Sequence, residues 1–137
     1  KVYRITASGR YSTTGTPTLK LTLKMGGTAI GGTGDIPMPS SVASSGIGWK
    51  LQSEIVCYSG NPAVSGNMNT HGDVSIVSNN AGTATIGAGW PNDTYTSGVI
   101  TMNTTAAQTL SLEAQWSAAS TANYISLYQF TVEALGP

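Results

Sequence analysis

The sequence predicts an all-β fold: a two-sheet antiparallel sandwich, jelly-roll-like, with about eight strands. Helix signals are nearly absent, because Gly, Pro, Thr and Ser recur too often to leave about twelve residues with a helical period. Alternation with a period of two is common instead. It is clearest in residues 18–25, where Leu19, Leu21, Leu23 and Met25 alternate with Thr and Lys.

The remaining strands follow from the same alternation and from the turn signals between them. The predicted strands are residues 2–11, 18–25, 49–58, 67–78, 83–88, 95–102, 108–116 and 123–135. Gly26 and Gly27 predict a tight turn. Five Gly and two Pro between Gly31 and Gly48 predict a long surface loop. The length and the absence of a fixed repeat predict a single domain over residues 1–137.

The last strand changes its apolar parity halfway along. Ile125 and Leu127 share one parity, whereas Phe130, Val132 and Ala134 share the other. A β-bulge near Tyr128 and Gln129 would bring both sets to one face. Burial of the strand on both faces is the alternative, and that arrangement would itself imply a subunit contact.

The charge content favours assembly. Charged residues make up 9% of the chain, against about 25% in typical soluble domains. Uncharged hydroxyl and amide groups lose less free energy on desolvation than charged groups do, so we expect an oligomer or a larger assembly. The alternative is an extracellular β domain with a Thr- and Ser-rich exterior. Six basic residues balance six acidic ones, which predicts no nucleic-acid partner and no membrane partner. No apolar run approaches the roughly 18 residues of a membrane span.

No motif in the chain predicts catalysis or cofactor binding. A Gly-x-Ser-x-Gly nucleophile elbow is absent. His71 and Cys57 are the single residues of their types, and together they are too few for a zinc site without carboxylates. The acidic residues lack both the Asp-x-Asp-x-Asp spacing of calcium loops and a local pair for glycoside hydrolysis. We therefore predict a protein that is not an enzyme, with no catalytic residue, cofactor or metal.

Aromatic residues are the candidates for recognition and packing. Trp90 lies between Gly89 and Pro91, and with Asn92 and Tyr95 it forms a candidate recognition loop. A second set is predicted to serve core packing or subunit contact. This set consists of Trp49, Trp116, Tyr128 and Phe130.

Two parts of the chain resemble the jelly-roll domains of tailed-bacteriophage virion proteins. Residues 110–125 and 130–135 resemble the closing segment of those domains, and the turn Trp116-Ser-Ala-Ala-Ser-x-x-Asn123 is its most distinctive part. Residues 3–12, 17–23 and 49–51 are similar to the start of the same domains.

The resemblance implies a virion component and carries over no catalytic residue. Such domains commonly form homotrimers through one sheet face. The expected partners are therefore further copies of the chain and other virion proteins, such as the major capsid protein. We expect a capsid decoration (cement) protein or a head fibre. The alternative is a receptor- or glycan-binding domain of a tail fibre, whose partner is a host-surface glycan.

Overall fold

The computed structural model describes residues 1–40, 42, 46–57, 66–77, 85–89, 100–103 and 106–136. Within these ranges the chain forms β-strands and no helix. The strands are β1 (Val2–Ser12), β2 (Thr18–Met25), β3 (Thr28–Gly32), β4 (Ile36–Pro37), β5 (Ile47–Cys57), β6 (Gly66–Val77), β7 (Thr85–Gly89), β8 (Ile100–Met102), β9 (Leu110–Trp116) and β10 (Tyr124–Ala134).

The strands form two antiparallel sheets, which confirms the predicted sandwich. The large sheet runs in the order β10, β1, β5 and β6, and β7 and β8 both pair with β6. In the small sheet β2 is central. Strand β9 pairs along one edge of β2, and β3 and β4 pair with the two ends of its other edge.

The core lies between the sheets and consists of the inward residues of each alternating strand. On β2 these residues are Leu19, Leu21 and Leu23, all fully buried, whereas the intervening Lys and Thr side chains reach the outer face. The large sheet contributes Ile5, Ala7 and Tyr11 from β1, Leu51 and Ile55 from β5, and Val74 and Ile76 from β6. Each large aliphatic side chain stabilises the fold by about 1.5–3 kcal/mol through removal from water.

The long loop predicted between Gly31 and Gly48 is wrong in three places, the last of which is its end, where β5 begins at Ile47. Strand β3 extends through Gly32, and β4 lies within the predicted loop, where Ile36 is buried and pairs with Leu19. Glycine is the residue that fits in β3, because a Cβ at Gly32 would lie 2.7 Å from the carbonyl oxygen of Leu21. Gly32 thus marks a close approach of two backbones, not a loop.

The predicted β-bulge in the last strand is confirmed. Ser8 of β1 pairs with Gln129, and Gly9 pairs with Leu127, so Tyr128 is the extra residue. Because of this insertion, both apolar sets of β10 oppose the inward residues of β1. These sets are Ile125 and Leu127 before the bulge, and Phe130, Val132 and Ala134 after it.

Tyr11 is expected to make stability depend on pH above about pH 10. Its hydroxyl donates a hydrogen bond to the Val77 carbonyl at 2.5 Å, and burial raises the pKa of Tyr11 to about 12. The unfolded chain releases this proton near pH 10, so the folded state alone keeps it between about pH 10 and 12. Stability is therefore lost as pH rises, by about 2 kcal/mol across that window.

The Tyr11→Phe variant provides the control, because phenylalanine has no proton to release. Urea unfolding at pH 9 and pH 11.5 should show a steeper loss for the wild type than for Tyr11→Phe. Equal losses for the two proteins would contradict the raised pKa.

Candidate interaction surface

Strands β9 and β10 form one margin of the sandwich. Among the described strands, β9 pairs with β2 alone and β10 with β1 alone. Their inward residues are all apolar, by register with the inward residues of β2 and β1. We call this set, together with Tyr128, the C-terminal margin: Leu110, Leu112, Ala114 and Trp116 on β9, and Ile125, Leu127, Phe130, Val132 and Ala134 on β10.

The C-terminal margin exposes large apolar side chains to solvent. Leu127 and Val132 lie on the inner face of the large sheet, yet their side chains are 49% and 48% exposed. Tyr128 on the bulge is 71% exposed. In the part of the chain that the structure describes, every exposed large apolar residue lies on β10 or directly after it. Such a concentration on one strand is typical of an interaction surface, whereas single scattered residues are not.

An apolar groove of about 140 Å³ opens between β9 and β10. Leu112 and Ala114 line its β9 side, and Ile125, Ser126 and Leu127 line its β10 side. The core residues Leu21 and Trp49 complete the lining. The sandwich therefore stays open along this margin, and the groove leads from solvent to the core.

Trp49 fixes the β10 side of the groove. The side chain is 5% exposed, and its indole N–H donates a hydrogen bond to the Ser126 carbonyl on β10 at 3.1 Å. Trp49 belongs to β5, so the indole reaches across β1 at the position of its register partner, Gly9. A Cβ at Gly9 would lie 1.8 Å from the Ser126 oxygen and 2.9 Å from the indole nitrogen. Gly9 is thus the residue that permits this contact.

The other packing aromatics of the sequence analysis have different environments. Trp116 and Phe130 are half-buried on the inner faces, in register with Leu19 and Ala7, and pack against the core. Tyr128 stands on the bulge and is largely exposed. The structure therefore places all four predicted aromatics at or beside the C-terminal margin. The candidate recognition residues Trp90, Asn92 and Tyr95 lie outside the described residues.

The turn between β9 and β10 is anchored by the residues that made its sequence distinctive. Asn123 is buried; its side-chain oxygen accepts a hydrogen bond from the Thr14 amide at 2.7 Å, and its amide group donates to the Ala118 carbonyl at 3.1 Å. The Ser117 hydroxyl accepts a hydrogen bond from the Thr18 amide at 2.8 Å. The bonds from Thr14 and Thr18 tie the turn to the β1–β2 connection and to the start of β2, whereas the bond to Ala118 braces the turn itself.

On the outer face of the large sheet, Arg4 and Glu54 form an ion pair. Glu54 accepts from Arg4 at 3.1 Å and lies 3.3 Å from the His71 ring nitrogen. These pairs are partly exposed and contribute at most about 1 kcal/mol each. In the described ranges, no group of three or more His, Cys, Asp or Glu side chains is placed to hold a metal ion. The same ranges contain no helix long and apolar enough to cross a membrane.

Comparisons of the chain with protein-family models, curated proteins and solved structures gave no match.

Proposed function

We propose that the protein is a non-enzymatic structural component of a bacteriophage virion, an oligomeric capsid decoration (cement) protein or head fibre. The observation that carries this proposal is the exposed apolar C-terminal margin. Leu127, Tyr128 and Val132 would remain in water in a monomer, whereas a subunit contact would bury them. Permanent subunits commonly have such apolar contact surfaces.

The position of the sequence resemblance supports a virion role. Residues 110–125 and 130–135 resemble the closing segment of phage jelly-roll domains, and they form β9, its turn and most of β10. The margin and the resemblance therefore coincide. Homotrimer formation, which the resemblance implies, would use this margin, and other virion proteins such as the major capsid protein would contact the assembled subunit.

The chemistry of the groove also suits protein contact. Its lining is aliphatic and aromatic apart from one serine. The Ser126 hydroxyl is engaged with the Arg10 carbonyl at 3.2 Å. Such a lining gains free energy by burial against another apolar surface, whereas acid–base catalysis needs a titratable group within hydrogen-bond reach of the substrate.

The proposal is tested on purified phage particles. Mass spectrometry should detect the chain in many copies per particle, and immunogold labelling should place it over the head. Labelling over the tail fibres, together with adsorption of the purified protein to host cells, would favour the receptor- or glycan-binding alternative. Absence of the chain from purified particles would overturn both.

A further inference from the structure

On the C-terminal margin, the exposed Tyr128 directly follows Leu127, which lines the β9–β10 groove. We propose that Tyr128 of one subunit inserts into the β9–β10 groove of the next copy of the chain. This inference rests on the proposed function for the existence of a subunit contact, and it names the residues that make it. The occupant of the groove is thus a second copy of the chain, whose Tyr128 ring binds in the groove.

Tyr128 has the properties of an anchor residue. It is the inserted residue of the bulge and has no register partner on β1. Its side chain is the most exposed of the large apolar residues in the described ranges. The paired strand on both sides of the bulge fixes its backbone, so little backbone entropy is lost when the ring is buried. Tyrosine is among the residues that most often contribute the largest share of binding energy at interfaces.

The groove has the size and lining for an aromatic ring. A cavity of about 150 Å³ lined by aliphatic side chains binds benzene. The groove offers about 140 Å³ between Leu112, Ala114 and Leu127. Because Ala114 is small and exposed, it leaves the opening wide on the β9 side. A phenol ring can therefore enter it and cover the exposed aliphatic atoms.

The charge distribution suits another copy of the chain as the partner. In a symmetric oligomer, residues near the axis meet their own copies, so a charged margin would repel itself. The inward residues of β9 and β10 carry no charge. The acidic residues of these strands, Glu113 and Glu133, lie on the outer faces, and Glu113 pairs with Lys24 at 2.6 Å. The chain has zero net charge, so two copies approach without long-range repulsion.

The margin is also large enough for a stable contact. Strand β10 has 11 residues and therefore spans about 36 Å at about 3.3 Å per residue. The spacing of about 10 Å between stacked sheets plus one strand on each side gives a width of about 20 Å. Strand β9 has 7 residues, so the margin averages about 30 Å in length. The resulting area of about 600 Å² reaches the lower end of what each partner buries in a standard interface, about 600–1,000 Å².

The test uses one variant for each half of the contact. Tyr128→Ala removes the projection, and Ala114→Trp fills the groove from the exposed β9 side. Sedimentation velocity should show an oligomeric wild type and self-association weakened at least about tenfold in each variant. An equimolar mixture should form a heterodimer, because the intact Tyr128 of one variant meets the open groove of the other. Ala114→Arg is a second groove variant with the same expected result.

Tyr124→Ala is the matched control, because Tyr124 is the first residue of β10, four positions before the bulge and outside the groove lining, and its loss should leave self-association unchanged. Far-UV circular dichroism checks that each variant is folded. Wild-type-like association of Tyr128→Ala, or a mixture that stays monomeric, would overturn the contact. An oligomer with this mutational pattern that is missing from virions would refute the virion role and keep the contact. If the chain is found in virions but its Tyr128→Ala variant still assembles, the contact is refuted and the virion role is kept.

Discussion

Replacement of Trp49 by alanine is expected to lower the free energy of unfolding by about 4 kcal/mol. The indole is almost completely buried between the sheets, so truncation removes its burial and leaves a cavity at the floor of the groove. It also leaves the Ser126 carbonyl on β10 without its indole donor. Urea denaturation followed by far-UV circular dichroism measures the loss.

Trp49→Phe separates the two contributions. Phenylalanine keeps most of the buried ring but cannot donate to Ser126, so we expect a loss of about 1–3 kcal/mol. Hydrogen exchange should show faster opening of β10 in both variants, since the lost bond joins β5 to that strand. A loss below about 1 kcal/mol for Trp49→Ala would contradict the packing of this side chain.

Gly9→Ala is expected to destabilise the fold by about 3 kcal/mol, at the upper end of the range for overpacking. The added methyl group would lie 1.8 Å from the Ser126 carbonyl oxygen, which belongs to backbone and cannot rotate away. Strand β10 would have to move from β1 at the bulge, and the indole of Trp49 would lose its path to Ser126. The measurement is the midpoint and slope of urea unfolding.

Gly48→Ala is the control for this substitution. Gly48 lies on β5, directly before Trp49, and a Cβ at this position meets no atom within 4 Å. Alanine there should be neutral or slightly stabilising, because it restricts the unfolded chain. If Gly9→Ala is as stable as Gly48→Ala, the close approach of β10 to β1 at Gly9 is wrong.

The strands with clear alternation could be predicted from the sequence. In β2, Leu and Met alternate with Thr and Lys, and this pattern gave both the strand and its buried face. In β10, the change of apolar parity at Tyr128 indicated a bulge, because a regular strand cannot bring both sets to one face. These features are local, so a single segment of sequence contains them.

The features that depend on contact between distant segments could not be predicted. Gly9 looks like a strand-weakening residue until the indole of Trp49 is placed across it. The parity of Leu127 and Val132 predicts an inward direction, but it does not reveal that the small sheet leaves them half exposed. Likewise, Ile36 forms a strand inside a Gly- and Pro-rich segment only because Leu19 is beside it.

For the candidate interaction surface too, the sequence predicted the residue types but not the contacts between distant segments. The sequence identified Trp49, Trp116, Tyr128 and Phe130 as packing or contact aromatics, because large aromatic groups dominate both cores and interfaces. It could not distinguish the buried Trp49 from the exposed Tyr128, since that difference arises from which residues the opposite sheet covers. The groove between β9 and β10 required the positions of both sheets.

Sedimentation equilibrium of the purified wild-type chain decides whether the C-terminal margin is a subunit interface. If three copies bury it, the mass at micromolar concentration is three times the 14.0 kDa of one chain. A mass of one chain under the same conditions would mean that Leu127, Tyr128 and Val132 stay in water in the native protein. That result would remove the basis for a virion subunit.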